Sequence, residues 1–131
     1  SIDYAKDGGY HLGIGRALAS LRDKGVLVLA SGNVTHNLRA IDFGAPAGQV
    51  ASRQWAQSFD AAVKAALIAN DSQALSNYLN LDSGAKMSVP APDHYWPLLY
   101  ALGAAQSTEP AKFVYEGFQA GTLSMRCVQW G

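Results

Sequence analysis

A chain of 131 residues with 49% hydrophobic and 15% charged residues describes one globular domain, not a disordered segment, and at this size it hides roughly two-thirds of its unfolded surface. Ten Lys plus Arg against ten Asp plus Glu give a formal net charge of zero; this excludes the electrostatic footprint of a nucleic-acid binder or of a protein held on an anionic membrane, and leaves an oligomer open. No run approaches the ~20 apolar residues of a membrane span and no secretory leader is visible, so the expected location is cytoplasmic.

The chain opens without Met, in Ser1-Ile2-Asp3-Tyr4, which reads as the end of a strand already under way and hence as a piece of something longer. Asp7-Gly8-Gly9 is a turn signal. Residues 10–24 carry Leu12, Leu18 and Leu21 at helical spacing, and Gly25 closes that helix as a C′ residue. The run Val26-Leu27-Val28-Leu29-Ala30 follows directly and is short, apolar and partly β-branched, which predicts a buried parallel strand. Its carboxyl end runs into the loop 31–39, and in open α/β sheets ligands bind outside the carboxyl ends of strands. His36 lies in that loop.

Residues 43–52, with Gly44, Pro46 and Gly48, read as a loop. Residues 55–69 place Trp55, Phe59, Val63, Ala66 and Leu67 on one helical face. A short helix fits 72–79 with Ser72 as its cap. Residues 84–92 read as a loop ending in Val89-Pro90-Ala91-Pro92. A helix over 95–103 follows, with Asp93 as N-cap, Pro97 in its first turn and Gly103 as its stop. Strands are expected at 112–115 and 123–130. Cys127, the one cysteine, falls in the second of these. It permits no intrachain disulfide and reads as a small core residue in a reducing compartment. The order of elements gives the α/β class.

Three histidines, His11, His36 and His94, all stand at or near junctions between elements, where rigid scaffolds carry their chemistry. Imidazole suits iron, zinc or copper, and its ordinary pKa permits proton transfer near neutrality. No two histidines stand three or four residues apart, so any metal site is assembled from distant segments or from residues outside the chain. Capping or surface histidines are the plain alternative. Gly13-Ile14-Gly15 lacks the third glycine and the preceding strand of a dinucleotide fingerprint, and serves close helix packing or an irregular helix start instead. Ser31, His36 and Asp42 make a nominal triad, without the G-x-S-x-G elbow of a hydrolase. Trp55, Tyr95, Trp96 and Tyr100 read as core and not as an aromatic cage.

Taken together, Gly15-Arg16-Ala17-Leu18, the stretch 21–27, Ser31-Gly32-Asn33-Val34-Thr35-His36-Asn37-Leu38, Ser58-Phe59-Asp60, Pro92-Asp93-His94-Tyr95-Trp96-Pro97-Leu98-Leu99-Tyr100 and Gly121-Thr122-Leu123-Ser124-Met125-Arg126 resemble the class III extradiol dioxygenases of the LigB type, in the DOPA 4,5-dioxygenase-like branch. The resemblance covers nearly the whole chain. It implies a three-layer αβα fold with a mostly parallel or mixed sheet, of which residues 1–131 form the C-terminal portion of one catalytic domain about twice this length. It implies a non-haem Fe(2+), with Zn(2+) as the metal of isolated protein. His94 matches a metal ligand. His36 matches the histidine over the metal, an acid/base group and in some members a further ligand. His11 matches a position near the pocket, a substrate contact. Two further ligand histidines belong to the N-terminal half, which would be this chain's partner.

On that reading the substrates are a DOPA-like catechol and O2. A metal serves as Lewis acid and template, and a neutral imidazole at His36 takes a catechol proton and later returns it. The ring opens beside its two hydroxyls. The second reading is a non-catalytic fragment or divergent homologue with an incomplete metal site. A hydrolase on a similar sheet would need a nucleophile that the sequence does not show.

Overall fold

The computed structural model describes residues 2–41, 44 and 51–131. Asp42 of the nominal triad and most of the loop expected at 43–52 lie outside these residues. Helix α1 spans Gly8–Arg22. Asp7, not the glycines after it, starts the helix: its side chain accepts from the Tyr10 N–H. Gly25 ends it at φ +77, where the Val26 N–H reaches back to the Leu21 carbonyl.

Helix α2 spans Gln54–Ile68 and buries the stripe Ala56, Phe59, Val63, Ala66 and Leu67. Helix α3, Ser72–Ser76, is capped by Asp71, whose side chain accepts from the Ala74 N–H; Ser72 is already inside the helix. A single helical turn, α4 (Ala85–Ser88), forms within the loop expected at 84–92. Helix α5 spans Trp96–Ala104. Asp93 does not cap it, because Pro92–His94 forms its own 3-10 turn first.

The core is one cluster in which α1 packs on α5 and the short α3 links that pair to α2, around Leu12, Phe59, Val63, Leu75, Tyr95, Leu99 and Leu102. Tyr95 is fully enclosed, its ring 4.5 Å from that of Tyr78 and its hydroxyl donating to the Leu75 carbonyl at 3.0 Å. Burial raises its pKa far above the usual phenol range. Helices α1 and α5 cross at two glycines. A Cβ at Gly15 would strike the Tyr100 carbonyl, and one at Gly103 the Leu12 carbonyl, so each helix requires bare backbone from the other. The expectation of close packing is met at Gly15; at Gly13 nothing approaches.

The strands fall into two antiparallel ribbons. Strands β1 (Lys112–Tyr115) and β4 (Cys127–Gln129) pair with a register shift between Phe113 and Tyr115. Strands β2 (Phe118–Gln119) and β3 (Leu123–Ser124) make the second ribbon. The single strand expected over 123–130 is thus broken, and β2 went unforeseen. Cys127 is exposed on β4, not a core residue. Alternate strand residues face opposite sides, and the neighbouring Val128 takes the half-buried side.

The buried parallel strand over 26–30 is not observed, and neither, among the described residues, is a parallel sheet. The segment is extended but unpaired, with Leu27 82% and Leu29 84% exposed. A parallel strand takes its hydrogen bonds from neighbours on both sides, and among the described residues no strand lies against it. Nor, among the described residues, is a strand observed at the start: residues 2 and 3 enter no ladder.

A buried ion pair ties α2 to the C-terminal strands. Arg126 reaches Asp60 with both ends of its guanidinium, and the Ser124 hydroxyl donates to the same carboxylate at 2.6 Å. Arg126 also bonds Glu116, which holds Lys64 at 2.7 Å. Removing one partner of a buried pair leaves the other charge stranded. Asp60→Ala is therefore expected to lower the unfolding free energy by about 3–5 kcal/mol. Urea denaturation measures it, and a loss below ~1 kcal/mol would contradict the role given to the pair.

Candidate functional site

His36 and His94, 58 positions apart in sequence, are brought face to face. Their rings stack with centroids 3.6 Å apart and planes 6° from parallel. Two constraints produce this contact. Residues 31–37 cross directly over the backbone of His94, because a Cβ at Gly32 would strike its carbonyl oxygen. The Asn33 N–H then donates to that carbonyl at 2.8 Å, and the His36 N–H donates to the Ser88 carbonyl at 2.8 Å.

The second constraint is a set of buried hydroxyl and amide bonds that pin the loop to β3 and α4. Thr35 Oγ1 donates to the Thr122 carbonyl at 2.8 Å and accepts from the Ser124 N–H at 3.0 Å. Thr122 Oγ1 donates to the Asn37 carbonyl at 3.0 Å. Asn33 Nδ2 donates to the Ser124 carbonyl at 2.8 Å, and Asn37 Nδ2 to the Met87 carbonyl at 2.7 Å. His36 itself bridges to Leu123 across this seam. Thr35 and Thr122 are fully buried, so the bonds of their hydroxyls are made away from water, where leaving them unmade is costly.

His94 closes the 3-10 turn that the Pro-rich loop delivers. Its Nδ1 lies 3.0 Å from Asp93 Oδ2. With Nδ1 as donor, the carboxylate fixes the tautomer and leaves Nε2 as the lone-pair nitrogen. That is the arrangement in which a histidine binds a metal through one nitrogen and is oriented through the other. Asp93 also meets the Tyr4 hydroxyl; burial first, then the charge and hydrogen bond of Asp93, raise the Tyr4 pKa. Sequence reading assigned Asp93 to capping and missed this pairing. The available signal was an acidic residue immediately before the candidate ligand.

His11 takes a different place. It is fully buried between α1 and α5, with Nδ1 2.9 Å from the Tyr100 hydroxyl, Nε2 3.2 Å from the Asp3 carbonyl, and its ring 4.3 Å from that of Trp96. Trp96 and Tyr95 are buried as core residues, as expected.

The chemistry open to the stacked pair is set by charge. Desolvation, and then the neighbouring His94, hold the His36 pKa below the ordinary imidazole value, although Asp93 pulls the other way. The lowered pKa favours the neutral imidazole, the form able to accept a proton. Among the described residues no group of three His, Cys, Asp or Glu side chains stands ready to hold a metal. The donor types fit such an ion, but the described residues supply only part of a set.

In metal-free protein the NMR titration of His36 is expected to have its midpoint below 6.5. A depressed folded pKa means that the unfolded chain takes up the proton first. Stability is thus fully present above 6.5 and declines as pH falls through the folded midpoint. A midpoint at or above 6.5 would remove the basis for this assignment.

Residues 4–125 match the family described as the catalytic LigB subunit of aromatic ring-opening dioxygenase. The chain is 44% identical over its whole length to a protein of Escherichia coli K12 named 4,5-DOPA dioxygenase extradiol, and covers 48% of it. A protein of the same name from Beta vulgaris is 32% identical over 95% of the chain, which covers 45% of that relative. A crystal structure of an uncharacterized Escherichia coli K12 protein superposes with a TM-score of 0.90 at 43% identity, over 100% of this chain and 53% of that one. The chain thus spans about half the length of the relatives it matches, in their C-terminal part. With helices and small antiparallel ribbons arranged as in that crystal structure, the chain belongs to the LigB family of aromatic ring-opening dioxygenases.

Proposed function

We propose that this chain is the C-terminal portion of an extradiol dioxygenase that opens a DOPA-like catechol with O2 at a non-haem metal centre. The observation that carries this reading is the stacked His36–His94 pair, with Asp93 fixed behind His94. In this reading His94 is a metal ligand through Nε2, and Asp93 orients it. His36 stands beside the metal position as acid/base, with a second capacity as ligand. The metal, Fe(2+) in the working enzyme and Zn(2+) as a substitute, supplies Lewis acidity and a template for the two catechol oxygens.

His36 accepts a catechol proton because its surroundings keep it neutral, and holds that proton until the opening ring takes it back. The loop bonds through Thr35 and Asn37 keep its ring from swinging away, since both flanking side chains are anchored. His11, expected from sequence to contact substrate, is given an indirect role here. Both of its nitrogens are occupied, by the Tyr100 hydroxyl and the Asp3 carbonyl. It would shape the pocket through Trp96 and Tyr100.

The absence of a third ligating side chain among the described residues favours a second statement about the chain by itself. By themselves the described residues make an incomplete site, and in this reading the remaining ligands come from the N-terminal half of a family-length protein. That location is carried over from the family resemblance.

Anaerobic iron loading of the family-length protein, followed by oxygen uptake against a panel of catechols, tests the activity; no uptake with any catechol would end the proposal. His36→Ala is expected to lower kcat by roughly 10²–10⁴ while metal stays bound, the range for losing a general base. Asp93→Asn is expected to weaken metal affinity by roughly 10–100-fold, as for other carboxylates behind ligand histidines. Competition with a chromogenic chelator reads it, and unchanged affinity would show that Asp93 does not orient the ligand.

A further inference from the structure

The exposed turn over residues 3–6 is tied to the core. It folds on itself: the Asp3 carboxylate accepts from the Ala5 N–H at 2.9 Å, and the Asp3 carbonyl accepts from the Lys6 N–H at 3.2 Å. The same carbonyl lies 3.2 Å from Nε2 of His11. A carbonyl only accepts, so Nε2 carries the hydrogen of that bond. Nδ1 of His11 is held by the Tyr100 hydroxyl at 2.9 Å, and the ring is fully buried. The turn is thus anchored by a side chain enclosed between α1 and α5.

Tyr4 sits in this turn. Its ring packs on Trp96, with centroids 6.1 Å apart and planes at 55°, and the Trp96 ring lies 4.3 Å from that of His11. His11 therefore places Tyr4 from two directions, through the backbone of Asp3 and through the ring of Trp96. Trp96 follows His94 by two positions and Asp93 by three. The ring packed on it is correspondingly close to Asp93, and the Tyr4 hydroxyl bonds the Asp93 carboxylate.

Asp93 needs that second partner. Its Oδ2 is 3.0 Å from His94 Nδ1, but the side chain is 33% exposed, so water competes for both oxygens. The torsion that turns an aspartate carboxylate about its stem has broad wells, and a single hydrogen bond leaves the group free to swing about that bond. A phenol hydroxyl is a donor, and bonds to an ionised carboxylate are among the stronger hydrogen bonds. Two donors from two directions define the plane of the carboxylate. They thereby define which nitrogen of His94 carries the hydrogen.

We propose that Tyr4 is a positioning residue for the candidate ligand: its hydroxyl holds the Asp93 carboxylate in the orientation that keeps the hydrogen of His94 on Nδ1 and leaves Nε2 free for a metal. The set runs from Tyr4 through Asp93 to His94, and it begins on the turn that His11 fixes. The metal end of this set rests on the dioxygenase reading; the effect of Tyr4 on the His94 imidazole does not.

Tyr4→Phe tests the proposal, because it keeps the ring against Trp96 and removes only the hydroxyl. Tyr4 is 63% exposed, so the core is left intact. Histidine-selective nitrogen NMR of the metal-free, family-length protein at neutral pH reads which nitrogen of His94 carries the hydrogen. The unaltered protein is expected to show Nδ1–H, and Tyr4→Phe a mixture of both tautomers. Competition with a chromogenic chelator is expected to show zinc affinity lowered by roughly two- to tenfold, the equilibrium worth of one net hydrogen bond. In an Asp93→Ala background, Tyr4→Phe is expected to change neither readout further. An unchanged tautomer in Tyr4→Phe would overturn the proposal. So would an equal loss of affinity with and without the Asp93 carboxylate, which would mark Tyr4 as a structural residue only. A tautomer that shifts while zinc affinity does not, or in a protein that binds no zinc, would keep the positioning role and refute the ligand assignment of His94.

Discussion

Residues 31–37 lie against the backbone of His94 because residue 32 has no side chain, and the stacking of the imidazoles depends on that approach. The Asn33 N–H spends its hydrogen bond on the His94 carbonyl. This couples the position of one histidine to the backbone of the other. Everything around the contact reinforces it: the threonine pair 35 and 122 locks the loop to β3, and Asn37 locks it to α4. An active centre assembled from distant segments needs such backbone-level stitching, since side-chain packing alone leaves several tenths of an ångström of play.

The helices were legible because their signals are local. Apolar spacing marks α1, α2 and α5, and Gly25 reads as a stop from its neighbours alone. Two helix starts were misread for local reasons: Asp71 and not Ser72 caps α3, and the 3-10 turn over Pro92–His94 separates Asp93 from α5. The pairing of His36 with His94 could be suspected from their junction positions, but its geometry depends on Gly32, whose role is visible only in three dimensions. The Asp60–Arg126 pair was equally hidden. Nothing in sequence distinguishes a charge that will be buried from one that stays in water, and these two stand 66 positions apart.

Segment 26–30 shows why a correct reading of local chemistry can give an incorrect local structure. Its composition is that of an interior strand, yet a strand is a relation between segments and not a property of one. Without neighbours it remains extended and keeps its leucines in water. By contrast, β1 and β4 carry their partners within the same chain; β1 forms over the whole of the expected 112–115, and β4 over part of the expected 123–130. The difference lies in where the hydrogen-bonding partner is encoded.

The bare leucines have a meaning for the life of the protein as well as for its architecture. An extended apolar segment with free backbone edges is what aggregating strands recognise and what folding assistants shield. A polypeptide of this family interrupted during synthesis or cut between its halves would display that segment. Residues 26–30 would then offer an apolar edge on which another extended chain could pair.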